Sequence, residues 1–208
     1  MLASPSVGSL KEKAVDIDFF WLITAMCIAA ILLLMVLVLH FKHRSERDGM
    51  TGLYNKETTE RRIVRALRRY RSNTAFLMLV DVDDLKGIND RLGHSEGDRA
   101  IRACAQALRE QFDKADIVGR IGGDEFMVLM RKGTNDAEAM DACECMMQRL
   151  HTRRIGKDDA YKLHVSIGVG SAAGGDLSFS ALYKRADEAL YRVKRGQKDG
   201  FEGIVKTT

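Results

Sequence analysis

Residues 115–131 read ADIVGRIGGDEFMVLMR, two apolar runs joined by two glycines and two carboxylates. Ile117 and Val118 before the join, and Phe126 to Met130 after it, suit two strands. Gly122 and Gly123 suit the bend of a hairpin between them. A hairpin tip does not need Asp124 and Glu125 side by side, so the stretch poses a chemical question as well as a topological one.

Working outward, helical and strand patterns alternate. KETTERRIVRALRRYRS (56–72) has helical periodicity, and TAFLMLVDVDD (74–84) reads as a buried strand ending in acids. SEGDRAIRACAQALREQF (95–112) is an amphipathic helix with Ser95 as its N-cap. After the hairpin come a helix over DAEAMDACECMMQRLH (136–151), a strand over YKLHVSIGVGS (161–171) and a helix over SFSALYKRADEALYRVKR (178–195). A short last strand is expected near GIVK (203–206). No internal repeat is visible. This order predicts an α+β layered domain, a sheet backed by helices.

One segment falls outside that pattern. From Phe19 to Leu39 the chain runs FFWLITAMCIAAILLLMVLVL without a charge, enough to cross a hydrocarbon core of about 30 Å as a helix. Asp16 and Asp18 precede it and no small-residue cleavage site follows, which argues against a signal peptide. The reading is a short tail at 1–18, a transmembrane helix at 19–41, a linker at 42–47 and one domain at 48–206. Lys42, Arg44 and Arg47 outweigh Lys11 and Lys13, which turns the C-terminal side toward the cytoplasm of a single-pass membrane protein.

Composition narrows the function. The 208 residues are 46% hydrophobic and carry a net charge of only +4. Arg61, Arg62, Arg65, Arg68, Arg69 and Arg71 cluster, but Tyr70 is the one aromatic among them. That reads as a solvated helix face, with attraction to anionic lipid as the runner-up, rather than as a nucleic-acid platform. Cys27, Cys104, Cys143 and Cys145 have no metal-knuckle or redox spacing and read as reduced packing residues.

The acids are the informative residues. Asp81 ends the first strand of the domain, and Asp83, two residues on, is expected on the same side of the pleat. If that strand neighbours the hairpin, Asp81 and Asp124 meet at one sheet edge, where Mg²⁺ bound by carboxylates and substrate phosphates would relieve their repulsion. Gly122 and Gly123 would let backbone approach a nucleotide. Lys194 and Lys198 share a helix face if the last helix persists that far, and Lys86 follows the first acidic cluster, all suited to phosphates. Asn89 and Asp98 offer hydrogen bonds to a base, and a carboxylate matches guanine better than adenine. Taken singly, each has an ordinary explanation: strand-end acids, solvated lysines, turn chemistry, a first-turn acid. The conjunction carries the argument.

That conjunction resembles the GGDEF family of diguanylate cyclases. Gly122 to Phe126 spell its signature. DGMTGLYNK (48–56), DVDDLKGIND (81–90), GHSEGD (93–98), SIGVG (166–170) and ADEALYRVK (186–194) are similar to its other motifs, in order. The resemblance implies a palm-like, nucleotidyl-cyclase-type fold with a largely antiparallel central sheet. It implies condensation of two GTP into cyclic di-GMP and two pyrophosphates across a homodimer of half-sites. By matching position, Asp81, the Val82 carbonyl and Asp124 would bind Mg²⁺ or Mn²⁺, and Asp124 or Glu125 would help deprotonate the ribose 3′-hydroxyl. Asn89 and Asp98 would hold guanine; Lys86, Lys194 and Lys198 would hold phosphates; Gly122 and Gly123 would lie against the nucleotide. The family's inhibitory product motif, R-x-x-D, falls on Asp113 to Asp116, with an aspartate where the arginine belongs. A carboxylate cannot replace a guanidinium that grips phosphate, so product inhibition through that site is not expected. A GTP-binding regulatory module without turnover is the alternative.

Overall fold

A computed structural model describes residues 20–38, 46–70, 74–130, 133–156, 161–196 and 199–203. Two units separate at Ser45 and Glu46. In the first, α1 (Phe20–Val38) is long and apolar enough to cross a membrane. Its large side chains are exposed all round, Trp21 at 64% and Leu33 at 61%. The outer ends of the expected 19–41 span lie outside the described residues.

The second unit holds a five-stranded sheet in the order β2-β3-β1-β6-β7. These are β1 (Ala75–Val82), β2 (Ile117–Arg120), β3 (Glu125–Leu129), β6 (Val165–Ala172) and β7 (Gly200–Gly203). All neighbours are antiparallel except β6 and β7, which run parallel. A separate two-stranded ribbon pairs β4 (Arg154–Ile155) with β5 (Tyr161–Lys162). The helices are α2 (Lys56–Leu67), α3 (Leu85–Leu92), α4 (His94–Gln111), α5 (Asp136–His151) and α6 (Phe179–Arg195).

Side chains alternate across a strand, and β1 sorts the core accordingly. Phe76, Met78, Val80 and Val82 pack with Ile101 and Leu108 of α4 and Met146 and Leu150 of α5. Leu77 and Leu79 pack with Ile63 and Leu67 of α2 and Leu182, Ala186 and Leu190 of α6. Every residue of β1 is buried, so AFLMLVDV reads as an unbroken apolar run until Asp81. The same parity puts Asp81 on the α6 face. Gly168 and Gly170 of β6 let α6 lie close: a Cβ at either would overlap α6 backbone at Ala186 and Leu190, or at Leu182 and Ala186.

Two expectations are corrected. Ser95 is not the N-cap of α4; that helix starts at His94 after Gly93, whose φ of 87° makes the sharp joint from α3. The strand expected over 161–171 is two strands, because β5 turns aside to pair with β4 before β6 enters the main sheet. The last strand expected near 203–206 is present at Gly200–Gly203, paired with Ser166 to Val169, and residues 204–206 lie outside the described residues.

Candidate active site

The hairpin between β2 and β3 brings the acids to one edge. Asp81 stands opposite Glu125 in the β1–β3 register, and one residue further the Val82 N–H donates to the Asp124 carbonyl at 3.0 Å. Asp81 is only 6% exposed, whereas Asp124 is half-buried and Glu125 exposed. Burial pushes the Asp81 carboxyl up; Lys194 opposes this through a hydrogen bond and its charge, and Asp124 and Asp83 add to the rise, leaving the carboxyl above its usual range. Lys194 reaches it from the last turn of α6, Nζ to Oδ2 at 2.7 Å. Crowded hard oxygen donors with one cation answering them fit a divalent ion such as Mg²⁺.

Asp83 does something else. β1 ends at Val82, and the buried Asp83 carboxylate accepts from Ser166 Oγ at 2.9 and 3.1 Å and from the Asp199 backbone N–H at 3.1 Å. Its own N–H donates to the His164 carbonyl at 3.0 Å. It ties β1, β6 and β7 together at the root of the site.

The two glycines divide their duties. Neither takes a positive φ. The Glu125 side chain lies over Gly122, so a Cβ there would overlap its carboxylate, while Gly123 faces open space. Gly123 is therefore the open position of the turn.

What holds the turn is Arg120. Its Nε donates to the Gly122 carbonyl at 3.1 Å and its Nη2 to the Gly123 carbonyl at 2.7 Å. Its Nη1 reaches Asp48 Oδ1 at 3.2 Å. Asp48 in turn accepts from the Thr51 N–H and hydroxyl at 2.8 and 2.6 Å, and the Thr51 carbonyl accepts from Arg109. The segment from Asp48 to Tyr54 is stitched beside β2, with the Arg120 N–H donating to the Tyr54 carbonyl at 2.8 Å. Sequence reasoning missed Arg120, Asp48, Thr51 and Arg109 as site residues. The signal was present in DGMTGLYNK, but no chemical role attaches to it until the partners are seen.

Asn89 packs at Gly97, the residue before Asp98. The Asn89 carboxamide packs on Gly97, where a Cβ would overlap its Oδ1, so the α3–α4 joint sets Asn89 beside the start of α4. Asp98 is paired with Arg102 at 3.0 Å one turn on. Lys86 is exposed on the first turn of α3. α6 ends at Arg195 with Gly196 as its C-cap, so the helix face expected to carry both Lys194 and Lys198 stops before position 198, and Lys198 itself lies outside the described residues. Asp113 and Asp116 cap a turn, with Asp113 Oδ1 accepting from the Ala115 N–H at 2.6 Å and Asp116 Oδ2 from the Asp113 N–H at 3.0 Å.

The family model for the diguanylate cyclase GGDEF domain matches residues 45–200. The chain belongs to the GGDEF family. The GGDEF domain is 37% identical over 161 residues to "Probable diguanylate cyclase DgcC" of Escherichia coli K12, an alignment covering 76% of this chain and 43% of that protein. It is 32% identical over 168 residues to "Diguanylate cyclase DgcP" of Pseudomonas aeruginosa, covering 77% and 24%. The chain thus spans less than half the length of these curated relatives. Among solved structures, the GGDEF domain of DgcB from Caulobacter crescentus in complex with c-di-GMP superposes with a TM-score of 0.72 at 26% identity, covering 76% of this chain and 95% of that one. Diguanylate cyclase SiaD in complex with its activator SiaC, from Pseudomonas aeruginosa, superposes with a TM-score of 0.73 at 28% identity, covering 94% and 76%. The α+β architecture with a mixed, largely antiparallel sheet is that of these GGDEF domains.

Proposed function

We propose that this chain is a membrane-anchored diguanylate cyclase that joins two GTP into cyclic di-GMP and releases two pyrophosphates. The observation that carries the proposal is the grouping of Asp81, Asp124 and Lys194 at the β1–β3 edge, under a turn clamped by Arg120. Asp81, Asp124 and the Val82 carbonyl would hold Mg²⁺ or Mn²⁺, which when bound supplies the charge that acidifies a ribose 3′-hydroxyl and steadies a triphosphate.

The chain's own groups do the rest. Asp124 or Glu125 takes the proton of the 3′-hydroxyl as it attacks the α-phosphorus of a second GTP. Lys194, already at this edge, turns its ammonium to the phosphates, and by the family resemblance Lys86 and Lys198 are assigned to phosphates as well. Asn89 and Asp98 receive guanine at the α3–α4 joint, Asp98 accepting from N1–H and the exocyclic amine. Gly122 and Gly123 lie against the nucleotide, with Gly123 giving the open approach. Each subunit holds one GTP, and two half-sites meet in a homodimer. The domain extends over 48–206. The first unit supports anchorage at 19–41 because α1 is apolar on every side. The catalytic domain then lies on the cytoplasmic side of a bacterial inner membrane.

Incubation of the full chain in detergent micelles with GTP and Mg²⁺ or Mn²⁺, followed by chromatography, tests the reading. We expect cyclic di-GMP from the native chain and none from Asp124→Ala. GTP binding by a folded dimer with no product would instead make it a regulatory module.

A further inference from the structure

A second cluster of ligand-type groups lies away from the carboxylate edge. His151 is the last residue of α5, His164 precedes β6, and Asp199 precedes β7. His151 Nε2 stands 2.9 Å from Asp199 Oδ1, and His164 Nδ1 stands 2.6 Å from Asp199 Oδ2. One ligand atom from each lies within 4.8 Å of the others, the only such group of three His, Cys, Asp or Glu side chains among the described residues. We infer that His151, His164 and Asp199 bind a borderline transition-metal cation of the Zn²⁺ class.

Four observations converge on it. Two imidazoles and one carboxylate are a donor set for Zn²⁺ or its first-row neighbours, unlike the all-oxygen edge at Asp81 that suits Mg²⁺. His164 Nδ1 is buried and stands against Asp199 Oδ2 without hydrogen-bond alignment, so a ring nitrogen is held toward the cluster. A cation there would also meet the partial negative charge at the C-terminus of α5. Finally, the side chains are 41%, 39% and 28% exposed, which leaves a path for an ion and room for water as a fourth ligand. Tetrahedral bonds of about 2.0–2.1 Å set ligand atoms about 3.3 Å apart, so ligand atoms that already lie within 4.8 Å of one another need side-chain shifts of under about 2 Å to take up that geometry.

The cation would clamp three elements that the chain otherwise joins loosely: the end of α5, the β5–β6 link and the start of β7. Asp199 gives its N–H to Asp83, and Asp83 gives its own to the His164 carbonyl. The cluster and the root of the β1 edge therefore share two of three residues' backbones. Metal binding would stiffen that root.

The test uses the full chain in detergent micelles, stripped of metal and held in excess Mg²⁺, titrated with Co²⁺ and then Zn²⁺. The expected result is one Co²⁺ per chain with the visible bands of a four-coordinate ion, displaced by Zn²⁺, and a rise in Tm with either. His164→Gln and Asp199→Asn should each weaken binding at least about tenfold and abolish the Tm rise, with circular dichroism unchanged. Asparagine tolerates the left-handed backbone at 199, where φ is 50°. Should His164→Gln fail to fold, His151→Asn at the helix end decides on the same terms. No Co²⁺ binding by the native chain, or equal affinity in all variants, overturns the site.

Discussion

Arg120 donates to the carbonyls of both Gly122 and Gly123 while its other arm lies on Asp48, so one guanidinium fixes the turn on two sides. Lysine carries the charge without the fork. Arg120→Ala should cost about 2–3 kcal/mol in urea unfolding and lower cyclase turnover more than tenfold, because the carboxylates ride on a loosened turn. Arg120→Lys should recover part of the stability and little of the turnover. Asp48 adds a pH dependence. Burial pushes its carboxyl up, but the Thr51 hydroxyl and N–H and the Arg120 guanidinium outweigh that and hold it below the usual range. A depressed folded pKa stabilises above the unfolded value of about 3.9, and that contribution fades as pH falls through the folded value. The stability gap between the native chain and Asp48→Asn should therefore be full at pH 6 and shrink below about pH 4. A gap that stays constant would remove Asp48 from the account.

Helix α6 shows how an element places the lysine proposed to meet phosphate. It lies against β6 because Gly168 and Gly170 present no side chain, and only that closeness brings Lys194 to Asp81. Gly168→Ala forces backbone apart, with a cost of about 1–3 kcal/mol and a displaced Lys194. We expect a lower Tm together with reduced turnover, whereas the exposed Gly175→Ala should change neither. The sequence is legible here in part. The 3.6-residue periodicity of 136–151 and 178–195 gives α5 and α6 almost to the residue, with Asn135 and Ser178 capping them. Helix α3 was hidden because it is eight residues long and opens at Asp84 with a φ of 54°. The alternation of β1 puts Asp81 opposite its neighbours, yet no pattern tells which helix covers that face. Lys194 could be matched to phosphate by resemblance, but its contact with Asp81 depends on tertiary packing. The roles of Arg120 and Asp83 depend on partners 72 and 116 residues away, Asp48 and Asp199, which no local window contains.

At the scale of the molecule, an apolar helix and a nucleotide-type domain are joined in one chain. We expect it to fractionate with membranes and resist alkaline extraction; release by carbonate would argue against the anchor. Asp113 and Asp116 spend their carboxylates on a local turn, so added cyclic di-GMP should leave the initial rate unchanged. In Asp113→Arg, micromolar product should slow the enzyme if the R-x-x-D reading is right. The bond from the Asp199 N–H to Asp83 has a consequence in time. Loop closure over 116 residues is slow beside the local pairing of β2 with β3. During synthesis the hairpin can form long before β7 leaves the ribosome, and Asp83 waits for its last donor until residue 199 is free. A nascent chain would carry the acids already gathered but their foundation open, and would gain activity late and abruptly, as the parallel strand docks.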